Sequence, residues 1–474
     1  MDKSEALRKV AQIFEEYEEK ETNFINYKNE PELKDILNIE KLDSNWDLEV
    51  VFSYIEKYLQ HSVKTNHPQF LNRMWTWWNL PSTLGEVVVA LMNTSACTFE
   101  SAPVSTIIEK YLIETMLHLV GFQWGEWQMT TGSSNANMIA LMISRNLYGE
   151  KVKKTGIYNQ KKLIVFVNEE SHYSFDKAVN ILWLGSDNLV KIPVNSNGSM
   201  NIQILEEKMK EYSKYDTSFF VAATAGTTVR WAYDNIEDIL ELKKNYDFWF
   251  HVDGAWGWVV FLNDTLKEKY ISGIEKVDSF TFDFHKMPGV SLICNLLLIN
   301  NRNWILEKSC SADNTDYIFK KEKQESDQED LLDLWVKSLQ CGRRVDSLKL
   351  FLDWKYYGKK WFSKKIERYH ELSKYAEKYI IESEQLEFAY DRNSFNICFV
   401  FKGSKWIEQW EQNKLNKNIR DELYKRSLSL VWSATIGWKY FLRLLICNEN
   451  LWEADLDVFF ENVVSVWKDI TYSS

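Results

Sequence analysis

Short apolar runs recur through the middle of the chain, each about the length of a buried strand. Five of them stand out: LIVFV (163–167), SFFVAATA (218–225), DFWFHVD (247–253), DSFTFD (278–283) and LICNLLLI (292–299). Helical patterns separate several of these runs, for example DNIEDILELKKNY (234–246). Buried strands that alternate with helices predict an α/β fold, with a mostly parallel sheet and helices on its faces. Ligands bind beyond the carboxyl ends of the strands in such sheets, so chemistry is expected there.

Helical spacing dominates the N-terminal part of the chain. Residues 1–60 alternate charged and apolar positions, with Pro31 as a break. This pattern is typical of amphipathic helices that cover a surface or a partner subunit. The segment STIIEKYLIETMLHLVG (105–121) predicts a further helix that ends at Gly121.

The pattern changes again after residue 345. A long helical pattern covers residues 347–380, and shorter mixed segments follow, including FNICFVF (395–401) and KYFLRLLIC (439–447). We therefore predict a small α+β domain in this region. The expected division is a helical segment for dimer contact over residues 1–62, a large domain over 63–345 and the small domain over 346–474.

Composition and charge restrict the class of protein. Of the 474 residues, 45% are apolar and 26% are charged, which is typical of a globular chain with several packed units. The formal net charge of −11 gives no basic footprint for nucleic acid or an anionic membrane. Six cysteines without a C-x-x-C pair argue against a disulfide framework and against a zinc site, and they fit a reducing compartment.

The sequence pattern gives no sign of secretion or membrane insertion. The N-terminus MDKSEALRKV is charged and helical in character, so no signal peptide is expected. The longest nearly uncharged apolar stretch, Val290–Ile299, has about half of the ~20 residues that a bilayer-spanning helix needs. We therefore expect a soluble cytoplasmic protein that needs no metal and binds neither nucleic acid nor membrane.

Polar residues follow the ends of several predicted strands. Ser133, Ser134 and Asn135 open a predicted helix, where exposed backbone N–H groups and the helix dipole favour an anion. They are candidates for a phosphate cradle, although an ordinary Ser/Asn helix cap is the alternative. His172 follows the run LIVFV and could stack on a flat ring or transfer a proton, or it could be a hydrogen-bonded loop residue.

Asp253 and Lys286 complete this set of strand-end residues. Asp253 ends the run DFWFHVD, where a poorly solvated carboxylate needs a cationic partner. That partner could be a protonated pyridine nitrogen or the arginine of a structural salt bridge. Lys286 lies between two predicted buried strands, so its amine should be partly desolvated and nucleophilic.

These residues together match the needs of pyridoxal phosphate (PLP). A PLP site contains a phosphate cup, a ring-stacking group, a carboxylate for the pyridinium and a lysine that attaches the cofactor. The order cradle, histidine, aspartate, lysine along successive strand ends therefore predicts a PLP enzyme that uses Lys286.

With these motifs in place, the sequence resembles the group II PLP-dependent amino-acid decarboxylases, most closely their glutamate and cysteine-sulfinate branch. The resemblance is carried by NHPQFLNRM (66–74), TFESAP (98–103), SHYSFDKA (171–178), TAGTT (224–228), HVDGAWG (251–257), HKMPGV (285–290), SLQCGRRVDSLKL (338–350) and YFLRLLICN (440–448). It implies the aspartate-aminotransferase-like fold (PLP-dependent transferase fold type I), with a mostly parallel seven-stranded sheet and a small α+β C-terminal domain. It also implies a homodimer with the active site at the subunit interface.

The resemblance assigns roles by position. Lys286 would hold PLP, and Asp253 would pair with the pyridine nitrogen. His172 would stack on one face of the ring, with Ala255 against the other. The remaining implied contacts are Ser133, Ser134, Asn135 and His285 at the phosphate, Thr224 near Asp253 and the ring substituents, and Arg443 at the substrate α-carboxylate.

The chain departs from the family pattern beside the lysine. Family members commonly have Asn-Pro or Asp-Pro before His-Lys, whereas this chain has Asp283-Phe284. Gly254 replaces the alanine that follows the ring aspartate, and Asn295 replaces a small serine of close relatives. We therefore expect an adjusted phosphate site.

A second departure concerns the proton donor. Glutamate decarboxylases carry a tyrosine in a mobile loop that protonates the α-carbon after carbon dioxide leaves. The polar segment 320–330 contains no tyrosine, and Tyr317 lies just before it. The resemblance leaves Tyr317 or His172 as the donor, or else a different outcome, because loss of this tyrosine in related enzymes favours oxidation of the amine to an aldehyde.

The predicted substrate pocket is altered as well. Arg73 replaces a glutamine of the branch and could bind a side-chain carboxylate or sulfinate, or could pair with Glu100. Cys97 stands where the branch often has an aromatic residue, which opens space. The tryptophan cluster that begins at Trp75 could line a pocket for a bulky side chain, or belong to the core.

The leading hypothesis is α-decarboxylation of an acidic L-amino acid (glutamate, aspartate or cysteine sulfinate) to the amine and carbon dioxide. One alternative is PLP-dependent oxidative deamination or transamination. Decarboxylation of an aromatic or pathway-specific amino acid is another, and a PLP-fold binding or regulatory protein is the non-enzymatic one.

Overall fold

The computed structural model describes residues 1–19, 24–38, 47–75, 78–149, 151–158, 161–214, 216–300, 303–310, 332–402 and 408–472. The helices, in chain order, are α1 (Lys3–Glu19), α2 (Glu30–Leu37), α3 (Leu48–His61), α4 (Leu80–Met92), α5 (Pro103–Val120), α6 (Ser133–Tyr148), α7 (Val152–Thr155), α8 (Ser174–Ile181), α9 (Ile202–Tyr212), α10 (Ile236–Lys243), α11 (Asp264–Ile271), α12 (Ile305–Cys310), α13 (Ser347–Glu382), α14 (Gln409–Lys425) and α15 (Glu453–Tyr472). The strands are β1 (Phe70–Leu71), β2 (Glu126–Thr130), β3 (Leu163–Asn168), β4 (Leu189–Ile192), β5 (Thr217–Thr224), β6 (Trp249–Asp253), β7 (Ser279–Asp283), β8 (Asn295–Ile299), β9 (Leu386–Phe388), β10 (Ile397–Phe401), β11 (Leu430–Ile436) and β12 (Lys439–Leu444).

The chain forms two compact units. One combines Met1–Trp77 with Tyr375–Ala389 and Ile397–Ser474, and the other combines Trp78–Lys374 with Tyr390–Asn396. We call them the first unit and the second unit. The three-segment division expected from the sequence stays a prediction.

The second unit is built on a seven-stranded sheet in the order β2-β8-β7-β6-β5-β3-β4. Strands β3 to β7 pair in parallel, and β8 runs antiparallel to both of its neighbours, β7 and β2. The predicted mostly parallel sheet of seven strands is therefore confirmed. The interior strands β6 and β7 are buried along their whole length, which explains why they read as continuous apolar runs.

Helix α6 packs across this sheet and contacts β2 and β5 to β8. Its buried positions include Ile139, Ala140 and Ile143, which lie within a large apolar cluster with residues of β3 and β5. Small and branched side chains at these spacings let the helix lie close to the sheet. The N-terminus of α6 is thereby fixed where β2 ends, at the same edge as the carboxyl ends of the parallel strands.

Strand register brings polar residues together at this edge. Thr224 lies opposite Asp253 in the β5–β6 pair, and Asp283 lies opposite Asn295 in the β7–β8 pair. Asn295 in turn lies opposite Thr130 of β2. The strand ends therefore hold a continuous row of polar side chains, as the topology of parallel sheets favours for ligand sites.

The first unit contains a five-stranded sheet in the order β1-β11-β12-β10-β9, with β1 and β11 parallel and the other pairs antiparallel. The segments predicted as mixed at 395–401 and 439–447 contain β10 and β12. Beside the sheet, Phe24, Ile25, Phe70 and Leu430 form an apolar cluster. Among the helices of the described ranges, none is long and apolar enough to cross a membrane.

Candidate active site

Asp253 ends β6 as a buried carboxylate with two hydrogen-bond donors. The Nδ2 atom of Asn137 donates to its Oδ2 at 2.7 Å, and the backbone N–H of Ala255 donates to its Oδ1 at 3.0 Å. Each carboxylate oxygen of Asp253 therefore accepts one N–H hydrogen bond. Neither donor is an arginine, so the contacts of Asp253 with the described residues do not support the alternative of a structural Asp–Arg salt bridge.

Thr224 lies beside Asp253 in the parallel pair β5–β6. Its backbone N–H donates to Oδ2 of Asp234 at 2.7 Å. Its hydroxyl oxygen is buried and has no hydrogen-bond partner among the described residues. A buried hydroxyl without a partner is costly, which is typical of a group that a ligand satisfies.

His172 lies after β3, and its ring is held by the backbone. The N–H of Ser174 donates to its Nδ1 at 3.2 Å, so in the neutral ring the proton is on Nε2. Burial lowers the pKa of His172, and the nearby charges of Asp253 and Lys286 act on it in opposite directions. The structure thus brings His172 into electrostatic reach of both residues.

Lys286 forms an ion pair with Asp283. Its Nζ lies 2.8 Å from Oδ2 of Asp283, whose Oδ1 accepts from Nδ2 of Asn295 at 2.7 Å. Burial by itself would raise the pKa of Asp283, but the positive charge of Lys286, the neighbouring His285 and the hydrogen bonds from Lys286 and Asn295 outweigh it and leave the pKa below its ordinary value. We expected a partly desolvated amine at Lys286. In the structure, 17% of the Lys286 side chain is exposed, and its amine is paired with the Asp283 carboxylate.

The start of α6 provides the candidate phosphate cradle. The N-cap position is Gly132, with φ of +108°, and no side chain caps the helix. The Ser/Asn cap that we gave as the alternative is therefore wrong. Ser133 is buried and accepts from Nδ2 of Asn295 at 2.9 Å, whereas Ser134 is exposed and Asn135 is half-buried. The first backbone N–H groups of this 16-residue helix are available to an anion.

His285 lies beside Asp283 and Cys294. Its Nδ1 is 2.9 Å from the carbonyl oxygen and 3.0 Å from the amide nitrogen of Cys294, and its Nε2 is 3.8 Å from Oδ2 of Asp283. Burial lowers the pKa of His285. All the predicted cofactor residues, Ala255 included, lie within the second unit.

Arg443 and Arg73 lie in the first unit and share one aromatic ring. The guanidinium carbon of Arg73 is 4.2 Å from the centre of the Trp432 ring, and that of Arg443 is 6.0 Å from it. Burial lowers the pKa of Arg443 to about 10, so its guanidinium stays charged at neutral pH. The first unit therefore holds two neighbouring cations on one indole.

The other predicted substrate residues lie in different settings. Trp75 is half-buried against the apolar cluster of the first unit, with its ring 6.3 Å from that of Phe70. This packing favours the core interpretation of Trp75. Cys97 is buried in the second unit and shares a thiol hydrogen bond with Cys341, and burial raises the pKa of Cys97 to about 11. Tyr317, the segment 320–330 and Trp77 lie outside the described residues.

Sequence reasoning missed Asn137, which donates to Asp253, and His251, which contacts Asn137. Asn137 lies one helical turn after Ser133, and His251 precedes Asp253 by two positions on β6. Both spacings could have revealed them, because residues i and i+4 of a helix share a face, as do residues i and i+2 of a strand.

A seven-stranded sheet with a lysine, an aspartate, a histidine and an uncapped helix N-terminus at its strand ends defines a cofactor-dependent α/β enzyme. Comparison with known proteins identifies the class. Residues 31–402 match the pyridoxal-dependent decarboxylase conserved domain, and the chain belongs to this family. The predicted family, fold type and cofactor are thereby confirmed.

Individual relatives cover almost the whole chain. Cysteine sulfinic acid decarboxylase of Mus musculus is 29% identical over 453 residues, which are 94% of this chain and 91% of the relative. The crystal structure of mouse CSAD superposes with a TM-score of 0.92 at 26% identity and covers 98% of this chain and 99% of that one. Oryza sativa TDC with PLP and tryptamine shares the fold, with a TM-score of 0.89 at 19% identity and 98% coverage of both chains.

The residues present fit PLP. A ring nitrogen needs the anion that Asp253 supplies, and a ring hydroxyl needs a partner such as the unsatisfied Thr224 hydroxyl. The uncapped start of α6 suits a phosphate, and Lys286 supplies the amine for covalent attachment. The chain is thus a PLP-dependent decarboxylase.

Proposed function

We propose that this decarboxylase acts on an L-amino acid with a second acidic group, of the cysteine sulfinate, glutamate or aspartate type. The observation that carries the proposal is the pair of guanidinium groups of Arg73 and Arg443 on Trp432. Two cations suit a substrate with two anionic groups, because a guanidinium fork matches a planar oxyanion. The name of the mouse relative, cysteine sulfinic acid decarboxylase, supports the same substrate class.

Bound PLP supplies an electron-accepting pyridinium ring that stabilises negative charge at the α-carbon as carbon dioxide leaves. In this proposal, Asp253 keeps the ring nitrogen protonated, and Lys286 attaches the cofactor. His172 and Ala255 enclose the ring from its two faces, and Thr224 binds a ring substituent. The phosphate contacts are Ser133, Ser134, Asn135 and His285.

The substrate is oriented by the arginines and protonated by a neighbouring acid. Arg443 holds the α-carboxylate and Arg73 the second acidic group, while Cys97, in place of an aromatic residue, leaves space for the side chain. His172, whose Nδ1 accepts from the backbone, is one candidate for supplying a proton to the α-carbon through Nε2. Tyr317 is the second candidate for this proton transfer.

Product analysis with a substrate panel tests the substrate class. The loaded enzyme should convert cysteine sulfinate, glutamate or aspartate to the amine lighter by carbon dioxide, identified by mass spectrometry. Arg73→Gln should raise KM for these substrates roughly tenfold, because one charge-assisted contact is lost. Arg426→Gln is the matched control, since Arg426 pairs with Glu422 and Asp469 at the surface. Turnover of aromatic amino acids alone would contradict the proposal.

The role of Lys286 has its own test. Lys286→Ala should abolish multiple turnover and the cofactor absorption that depends on covalent attachment. Lys374→Ala is the control, because Lys374 is exposed and pairs only with Glu371 among the ion pairs of the described residues. Retained multiple turnover in Lys286→Ala would contradict the assignment.

The absence of a tyrosine from the segment 320–330 favours a second outcome, oxidation of the amine. That reaction consumes oxygen and releases an aldehyde with hydrogen peroxide. An oxygen electrode and a peroxide assay, run beside the amine analysis, distinguish the two outcomes. Amine without oxygen consumption supports simple decarboxylation.

We also propose that the chain works as a homodimer with the active site at the subunit interface. Helices α4 and α5 of the second unit carry large exposed apolar side chains: Leu80, Leu84, Val87, Val88, Leu91, Val104, Ile107 and Tyr111. The spacing of those on α4 places them in a continuous apolar stripe. Exposure of such a stripe to water is unfavourable, and a second copy of the chain would cover it.

Light scattering tests the dimer. Leu84→Glu combined with Leu91→Glu should shift the mass from dimer to monomer and reduce activity with it. Trp410→Glu, at an exposed residue of α14 outside this stripe, is the control. An unchanged dimer in the double variant would exclude this surface as the interface.

The proposed compartment is the cytoplasm. All six cysteines are free thiols, as a reducing environment allows. Cell fractionation with an antibody against the full chain tests the proposal, and recovery with an organelle or secreted fraction would contradict it.

A further inference from the structure

A chain of buried hydrogen bonds runs from Asp253 into the sheet. Nδ2 of Asn137 donates to Asp253, and Oδ1 of Asn137 lies 2.9 Å from Nε2 of His251. The other ring nitrogen, Nδ1 of His251, is 2.8 Å from the hydroxyl of Ser279. Nε1 of Trp249 donates to the same hydroxyl at 2.7 Å. All five residues are buried.

The outer end of the chain is compatible with a single direction of hydrogen bonding. The indole N–H of Trp249 can only donate, so the Ser279 oxygen accepts from it, and the serine proton is then available to Nδ1 of His251. With Nδ1 as acceptor, the neutral ring carries its proton on Nε2 and donates to Oδ1 of Asn137.

The inner end gives the same direction independently. The Asp253 carboxylate needs a donor, so the amide of Asn137 must present Nδ2 to it. Oδ1 then faces His251 and needs an N–H there. The second proton of the amide points to the hydroxyl of Ser174 at 2.9 Å, so the orientation of Asn137 is fixed on three sides.

The ring of His251 is enclosed as well as hydrogen-bonded. It lies 5.8 Å from the ring of Phe220 and 6.3 Å from that of Phe175, and none of its surface is exposed. Burial lowers the pKa of His251 to about 3, so the ring stays neutral at physiological pH. The hydrogen-bond chain requires a neutral ring, because Nδ1 of His251 must accept a hydrogen bond while Nε2 donates one.

We propose that Asn137 and His251 are positioning residues that hold Asp253 as an ionised acceptor for the pyridine nitrogen of PLP. The inference rests on the proposed role of Asp253. His251 acts through Asn137, and neither needs to touch the substrate. Their effect is to keep a lone pair of Asp253 available in one orientation, because the amide of Asn137 always presents a donor to Oδ2.

The test compares two cofactors in equilibrium titrations of the cofactor-free enzyme. PLP has the ring nitrogen, whereas 1-deaza-PLP has a C–H in its place and cannot use Asp253. In the wild-type enzyme, the apparent dissociation constant for 1-deaza-PLP should exceed that for PLP by roughly tenfold or more, since a charge-assisted hydrogen bond is absent.

Two variants break the chain at different points. Asn137→Asp removes the donor to Asp253 with no change of shape, and His251→Phe removes both ring hydrogen bonds within an aromatic environment. Each should weaken PLP binding while leaving 1-deaza-PLP binding unchanged within about twofold, so the ratio of the two constants approaches one. His251→Gln, which restores an N–H and an acceptor, should recover much of the ratio.

A control and the contrary outcomes make the test decisive. Ser144→Ala removes another buried hydroxyl of α6, which donates to the Phe219 carbonyl, and should leave the ratio at the wild-type value. Equal weakening for both cofactors, or an unchanged ratio, in the variants that fold by circular dichroism would overturn the proposal. If Asn137→Asp does not fold, His251→Phe and its Gln counterpart decide alone. A wild-type ratio near one would instead overturn the role of Asp253.

Discussion

The Nζ atom of Lys286 lies 2.8 Å from Oδ2 of Asp283, and only 3% of that carboxylate side chain is exposed. The sequence motif before the lysine therefore has a direct electrostatic consequence. Asp283 provides a fixed countercharge for the amine, and Asn295 holds the other oxygen of that carboxylate. Asn295, one of the departures from the family pattern, thus lies in one hydrogen-bonded group with Asp283 and Lys286.

Removal of this countercharge should destabilise the fold in a pH-dependent way. Because the pKa of Asp283 lies below its ordinary value, the carboxylate stabilises the folded state at neutral pH, and that contribution is lost as pH falls through the lowered pKa. Asp283→Asn should cost roughly 3 kcal/mol at pH 7. Urea unfolding at pH 7 and pH 3 should show the difference from wild type shrinking in acid. An equal difference at both values would exclude the ion pair as its source.

His251 should make the protein sensitive to mild acid. Its pKa of about 3 in the folded state lies below its ordinary value, so the unfolded chain takes up the proton first and stability falls between pH 6.5 and pH 3. At pH 5 the loss is about 2 kcal/mol. The difference in unfolding free energy between pH 7.5 and pH 5 should be smaller by this amount in His251→Gln than in wild type. Parallel pH profiles would contradict the buried neutral ring.

The second unit contains a buried ion pair that explains the QCGRRVD motif. Arg343 lies 2.5 Å from Glu109 and also donates to the Ala96 carbonyl at 3.0 Å. Arg343→Leu should cost about 3–5 kcal/mol, because it leaves the Glu109 carboxylate buried without its cation. Thermal or urea unfolding measures the loss, and adding Glu109→Leu should recover much of it. The neighbouring Arg344→Leu is the control, with an expected cost of about 1 kcal/mol or less, since Arg344 is 55% exposed.

Gly254 is required by the packing of Phe280. A Cβ atom at Gly254 would lie 2.4 Å from Cε2 of Phe280 and 3.1 Å from its Cζ. Gly254→Ala, which creates the residue common in the family, should therefore cost roughly 1–3 kcal/mol in unfolding free energy. Phe280→Leu should relieve the clash. In the Phe280→Leu background, Gly254→Ala should therefore lower the unfolding free energy by less than it does in the wild-type background. An unaffected Gly254→Ala protein would mean that Phe280 moves freely.

The sequence predicted those parts of the fold in which local pattern and tertiary environment agree. Strands β3, β5, β6 and β7 are rich in apolar residues because they are almost entirely buried, and the predicted runs overlap them closely. Strand β2 escaped prediction because Glu126 and Gln128 are polar yet buried. Their partners are the backbone of Leu306 and the hydroxyl of Ser338, which are distant in sequence.

The same limit applies to the candidate site. Lys286 and Asp253 stood out because a charged side chain beside an apolar run is poorly solvated and therefore needs a partner or a function. Asn137 did not stand out by its residue type, because its local signal is limited to the helical spacing from Ser133, and its partners Asp253 and His251 are more than one hundred residues away. The clash that explains Gly254 likewise depends on a neighbouring strand.

Strand β4 lies at one edge of the seven-stranded sheet, and its short length has a consequence for solubility at high concentration. An open edge offers unpaired backbone groups to any other extended chain, which is how sheets grow into aggregates. Here the edge is four residues long, and Lys191 projects from it in an ion pair with Asp176 of α8 at 2.8 Å. A strand added at this edge would have to displace that lysine, so the edge discourages aggregation.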